Sequence, residues 1–208
     1  MIFDENSLIR LREAVKMRIS EKRYQHTLGV EDMARHLGSI IIPERVDELS
    51  ATALLHDIAK ELSYEEQLDL LKSSDALYDE EDLETKPALH SFAAIPVIKR
   101  DFPDYATEDI LSAVANHTLG KHGMSVFDEI IYISDYAEAG RTYPSCQSVR
   151  KYLLEHLSSD KSYSDNVRAL HVALLSSIDS TIDSLTRRNE KINSKTYLTK
   201  SYLEHLIH

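Results

Sequence analysis

Apolar residues recur every three or four positions along most of the chain, and no stretch alternates with the two-residue period of a strand punctuated by hairpin turns. This pattern predicts helices throughout. A first helix runs from about Asn6 to Ile19, with Leu8, Leu11, Val15 and Ile19 on one stripe. A second begins after Ser20 and carries Tyr24, Leu28, Val30, Met33, Ala34 and Leu37. Pro43 suits the first turn of a third, which ends in LLHDIAK, Leu54 to Lys60. Ser63 and Glu66 form a capping box for a fourth. Asp75 to Pro87 is acidic and aperiodic, which predicts an exposed loop. Leu89 to Phe102 is helical in pattern, with Pro96 marking a kink or a division into two pieces. Thr107 caps the next helix. Gly120 and Gly123 then break the chain, and Ser125 caps a helix that Gly140 ends as a C′ residue. Helices over Gln147 to Leu157 and Asp165 to Arg188 follow. The second is long and amphipathic, suited to packing on its own domain or on a second copy of the chain, which leaves a homodimer open. The tail, Asn193 to His208, reads as a short docking helix or a frayed end.

Composition narrows the class. The 208 residues contain no repeat, low-complexity linker or clear boundary, so a single all-α domain over 1–208 is expected. Hydrophobic residues make up 42% and charged residues 28%, an ordinary balance for a soluble globular protein. No apolar run approaches the ~20 residues that span a bilayer. The N-terminus, MIFDENSLIR, lacks the basic and apolar regions of a signal peptide, so a cytoplasmic location is expected. Cys146 is the only cysteine, which excludes an intrachain disulfide and a thiolate metal cluster. A net charge of −11 argues against nucleic-acid and membrane-surface partners. It leaves room for a small polyanionic substrate where cations gather locally.

The chemistry gathers at five places. They are His26 in RYQHTLGV, His56-Asp57 in LLHDIAK, His90 in ALHSF, His117 in VANHTLG and Asp135 in YISDYAEAG. An adjacent His-Asp pair after an apolar run is not required by packing. Imidazole nitrogen and carboxylate oxygen together suit borderline and harder divalent ions. Asp135 lies on an apolar helical face, where an unpaired carboxylate is expensive. Three or four of these groups hold one ion, and six suffice for two ions sharing a ligand, the arrangement used in phosphate ester and anhydride hydrolysis. Lys60, on one helix face with His56 and Asp57, serves a substrate phosphate or complements the helix dipole. Arg23, Lys121, His122, Glu138 and Arg141 are further candidates for the rim of a polyphosphate pocket. His36, His156, His171, His205 and His208 read as solvated or incidental, and so does His122 when set apart from its neighbour His117.

The order H, HD, H, H, D on helices resembles the HD-domain phosphohydrolase superfamily. RYQHTLGV, ALLHDIAK, ALHSFAA, NHTLGKHGMS and IIYISDYAEAGRTYP resemble its YqeK branch over roughly Tyr24 to Pro144. The resemblance implies a helical bundle with a dinuclear site in a core of about residues 20–144, and C-terminal helices 145–208 packed on it. The implied activity is cleavage of symmetrical dinucleoside tetraphosphates, diadenosine tetraphosphate giving two ADP. It implies metal ligands His26, His56, Asp57, His90, His117 and Asp135, with iron as the metal and manganese, cobalt or zinc as alternatives. Asp57 would bridge two ions that share a hydroxide nucleophile, and Lys60 would contact phosphate. Thr118, in the family's HTxGxxGMS element, joins the substrate-binding set with Arg23, Lys121, His122, Glu138 and Arg141. His90 is followed by Ser91 where the family carries glycine, which predicts a narrower approach to the metal. A phosphohydrolase of another nucleotide or of a guanosine polyphosphate, or a non-catalytic nucleotide sensor, remains the competing reading.

Overall fold

A computed structural model of the chain describes residues 3–74 and 76–207. Met1 and Ile2 of the N-terminal stretch, Asp75 of the expected acidic loop, and His208 lie outside the described residues. Among the described residues there are eleven α-helices and no strand, as the periodicity predicts. They are α1 Glu5–Lys16, α2 Glu21–Ile41, α3 Val46–Leu55, α4 Tyr64–Lys72, α5 Glu80–Glu84, α6 Leu89–Asp101, α7 Glu108–Asn116, α8 Val126–Ala137, α9 Pro144–His156, α10 Tyr163–Arg187 and α11 Ser194–Ile207.

The five prolines account for much of the punctuation. Pro43, Pro87 and Pro103 sit in the first turn of short 3-10 segments, where a missing N–H costs nothing, and Pro144 opens α9. Only Pro96 lies inside a helix, and α6 runs through it as one element rather than two. Side-chain caps start the others. Ser20 accepts from the Arg23 N–H, and Ser63/Glu66 and Ser125/Asp128 form reciprocal capping boxes.

Three boundaries differ from the sequence reading. Helix α3 stops at Leu55, so the segment from His56 to Lys60 is a run of turns beyond it, and the shared helix face assigned to His56, Asp57 and Lys60 does not exist. The expected acidic loop contains α5. Asp79 caps it, and Asp82 is fully buried against the C-terminal segment. Gly140 is not a left-handed C′ residue: α8 ends at Ala137 with Glu138 in extended geometry, while Gly120 and Gly123 are the glycines with positive φ, 71° and 75°.

Two apolar clusters fill the interior. One joins α2, α8, α9 and α10, and the other joins α1, α6 and α7. Helix α3 lies between them. Leu49 and Ala53 face the first, Ala51, Leu54 and Leu55 the second, and every residue from Leu49 to Leu55 is buried. A helix buried on every side over its last two turns runs through the middle of the protein. Its C-terminal end therefore delivers His56 and Asp57 to the seam between the clusters. The long α10 packs against α2, α8, α9 and α11. In the tail, Leu203 is buried, whereas Leu198 and Leu206 face solvent.

Candidate metal centre

The six expected ligands converge. His26 comes from the second turn of α2, His56 and Asp57 from the turn after α3, His90 from the first turn of α6, His117 from the end of α7 and Asp135 from the end of α8. Asp57 stands at the centre. Its Oδ2 lies 3.7 Å from His26 Nε2 and 3.5 Å from His56 Nε2, while its Oδ1 lies 3.1 Å from His90 Nε2 and 3.6 Å from His117 Nε2. Asp135 Oδ1 is 3.0 Å from His26 Nε2. Donor atoms of His26, His56 and Asp135 fall within 4.8 Å of one another, and so do those of His56, Asp57 and His117.

The imidazoles are aimed by what lies behind them. His56 Nδ1 donates to the Ala53 carbonyl at 2.6 Å and His117 Nδ1 to the Val114 carbonyl at 2.7 Å. Each bond fixes the ring orientation that turns Nε2 toward the cluster. The Nε2 of His56 is buried without a hydrogen-bond partner. A buried polar atom left unpaired costs about 1–3 kcal/mol. Four imidazole nitrogens and two carboxylates directed at one another, one of the nitrogens unpartnered, fit divalent cations with mixed nitrogen and oxygen ligands.

Charge within the cluster is ordered in the same sense. Burial alone would raise the Asp57 carboxyl, but the surrounding imidazoles of His56, His117 and His90 hold it well below the usual range, so it stays ionised. Asp135 behaves alike, with His26 and Arg141 outweighing burial. Burial pushes His90 down to about 4, aided by its neighbours His117 and Lys60, so this ring stays neutral. His26 is the exception. Burial opposes its charged form, yet bonds to Asp135 and Glu138 raise it to about 9.

Three of the expected cations line the cluster. Arg23 Nη1 contacts Asp57 Oδ2 at 2.7 Å, Arg141 Nη2 contacts Asp135 Oδ1 at 2.5 Å, and Lys60 Nζ lies 3.1 Å from the His90 ring nitrogens. Burial lowers the Lys60 pKa. Thr118 Oγ1 is 3.4 Å from His90 Nε2. Two of the expected substrate contacts point elsewhere. Lys121 bonds Ser112 at 2.6 Å and pairs with Asp128 at 3.4 Å, and the His122 ring packs on Tyr202. Glu138 also needs correction. It is 3% exposed and lies behind His26, accepting from its Nδ1 at 3.2 Å and from the Gly140 N–H at 2.5 Å. It orients an imidazole rather than facing a substrate. Gly29 makes room for it, since a Cβ there would meet Glu138 Oε2 at 2.5 Å. Ser91 is fully buried and donates to the Ala88 carbonyl at 2.7 Å, so its hydroxyl is tied to the start of α6.

Two features escaped the sequence. A cavity of about 890 Å³ opens from Asp135 and Arg141, walled by Tyr136 and Tyr143 and by Ser180, Thr181, Ser184, Arg187 and Arg188 of α10 and its end. The hydroxyls and paired arginines of that helix end were the available signal. His171, read as incidental, is buried and pairs with Glu129 at 3.2 Å.

The chain is 29% identical over 190 residues to the symmetrical bis(5'-nucleosyl)-tetraphosphatase of Bacillus subtilis, covering 91% of this chain and 93% of that protein. It is 28% identical over 195 residues to the protein of the same name from Halalkalibacterium halodurans, covering 92% and 94%. Among solved structures, a predicted HD superfamily hydrolase involved in NAD metabolism from Clostridium acetobutylicum superposes with a TM-score of 0.80 at 29% identity, over 95% of this chain and 96% of that one. The family model for the HD domain matches residues 23–140, a span that holds all six clustered donors, and the chain belongs to the HD domain family.

Proposed function

We propose that the chain is a divalent-metal-dependent hydrolase of symmetrical dinucleoside tetraphosphates, converting diadenosine tetraphosphate to two ADP. The observation that carries this reading is the division of four imidazoles by one carboxylate, Oδ2 of Asp57 toward His26 and His56 and Oδ1 toward His90 and His117. A carboxylate so placed is suited to bridge two ions, with His26, His56 and Asp135 completing one position and His90 and His117 the other. Two bound cations would supply Lewis-acid polarisation of phosphoryl oxygens and a water that ionises near neutral pH. We assign iron, and the same donors accept manganese, cobalt or zinc, since site affinity alone does not select among them.

The chain's own groups complete the pocket. Arg23, Lys60 and Arg141 concentrate positive charge around the cluster of an otherwise acidic protein, which a tetraphosphate requires. Lys60 is placed to stabilise charge developing on a phosphoryl oxygen, with the Thr118 hydroxyl on the same wall. Glu138 keeps the His26 ring aimed inward. The cavity beyond Asp135 and Arg141 offers tyrosine faces, hydroxyls and two arginines, a lining suited to a nucleoside and its phosphates. Water adds across the central P–O–P anhydride, and each half leaves as a nucleoside diphosphate.

Chromatography of the products from diadenosine tetraphosphate tests the proposal. ADP as the sole product is expected. ATP with AMP, or a higher kcat/KM for a guanosine polyphosphate, would overturn it.

A further inference from the structure

Apart from Lys200, which bonds Asp179 of α10 at 2.6 Å, the C-terminal segment makes its polar contacts with two short segments, and each leads to one histidine of the same half of the cluster. The first segment precedes His90. Asn193 Nδ2 donates to Thr85 Oγ1 at 3.0 Å and to Asp82 Oδ1 at 3.3 Å. Lys195 Nζ pairs with Asp82 and, at 3.2 Å, with Asp79, and it lies over the Phe92 ring. Ser194 bonds Glu81 at 2.5 Å. Asp82 is fully buried and Asn193 is 2% exposed, so these are interior contacts rather than solvated pairs. From Thr85 the chain makes one 3-10 turn and enters α6, whose second residue is His90.

The second segment follows His117. Thr199, fully buried, donates to the Lys195 carbonyl of its own helix at 2.7 Å, with the Leu119 carbonyl 3.3 Å from the same hydroxyl. Gly120, at φ 71°, comes so close that a Cβ there would lie 2.6 Å from Thr199 Oγ1. Tyr202 packs on His122. Among the described residues, no hydrogen bond or ion pair of residues 191–207 reaches α2, α3 or α8, which carry His26, His56 and Asp135. The polar contacts of the helix with ligand-bearing segments fall on one half of the cluster, while Leu203 packs into the apolar cluster that α2 and α8 share.

We propose that α11 is a clamp that sets the spacing of His90 and His117, with Asn193, Lys195 and Thr199 as positioning residues for the metal position those histidines form. The proposal rests on the two-metal reading above. Partners of this kind, which orient metal ligands without touching the metal, typically change affinity by about 10–100-fold when removed. The effect is selective, because His26, His56 and Asp135 keep their own supports.

The test is an anaerobic titration of metal-free protein with Mn(II), following free ion and the signal of exchange-coupled pairs by electron paramagnetic resonance. Wild type is expected to take two ions per chain. Lys195→Met, and Thr199→Val as the near-isosteric variant that keeps the fold, should retain the first step and shift the second by roughly tenfold, with loss of the coupled signal at one equivalent excess. Unchanged constants for both steps would overturn the clamp. Equal weakening of both steps would also overturn it, since that is general destabilisation. Fewer than two ions on wild type would instead defeat the two-metal reading on which it rests.

Discussion

Asp57 is 3% exposed, and its carboxylate is surrounded by imidazole nitrogens and the Arg23 guanidinium. Burying such a charge is costly unless its partners are equally well placed. Asp57→Ala is expected to abolish paired metal binding and to lower kcat by more than about a hundredfold, read by metal content and turnover of the same sample. Near-normal turnover with full metal content would contradict this. Glu138→Gln keeps the shape but weakens the acceptor behind His26, and should reduce affinity for the first metal by about tenfold. Gly29→Ala should do the same by pushing the Glu138 carboxylate aside; metal titration measures both. At this scale the six donors were legible because a His or Asp in apolar helical sequence has few bland explanations. The role of Glu138 was not, because sequence spacing places it near Asp135 without saying which side of His26 it occupies. The directions of Lys121 and His122 were not legible for a similar reason: a loop next to His117 can turn either way, and here Lys121 meets Ser112 and Asp128 while His122 meets Tyr202.

The elements were legible where local signals suffice. The caps at Ser20, Ser63, Thr107 and Ser125 fall where the sequence puts them. Helix α5 was hidden because the partners that bury Asp82 lie 111 and 113 residues away. The same holds for Glu129 and His171, which join α8 to α10. Burial raises the Glu129 carboxyl above its usual 4.5, against the pull of His171. The folded protein therefore holds that proton more tightly than the unfolded chain, so this group favours folding at low pH and loses its contribution as pH rises through the raised value. Glu129→Gln should flatten the fall of unfolding free energy with pH above about 4.5, measured by urea denaturation; an unchanged slope would contradict the assignment. Leu54→Ala, in the buried last turn of α3, should cost about 2–5 kcal/mol in the same assay.

For the whole molecule, the candidate metal centre sits at the seam of two apolar clusters and draws its His and Asp side chains from α2, α6, α7, α8 and the turn after α3. Metal binding and folding are therefore coupled. Removing metal with a chelator should lower the melting temperature by about 5–10 °C, the equivalent of about 2.7 kcal/mol at a hundredfold excess over Kd for a chain of this size. The net charge of −11 makes the cationic rim the local exception, so KM for a tetraphosphate should rise with ionic strength. The most direct test of the central claim is anaerobic metal analysis paired with product analysis on wild type and Asp57→Ala. Two ions per chain with ADP as the only product from diadenosine tetraphosphate, both lost in the variant, is the predicted result. Full turnover from a chain holding one ion or none would contradict it.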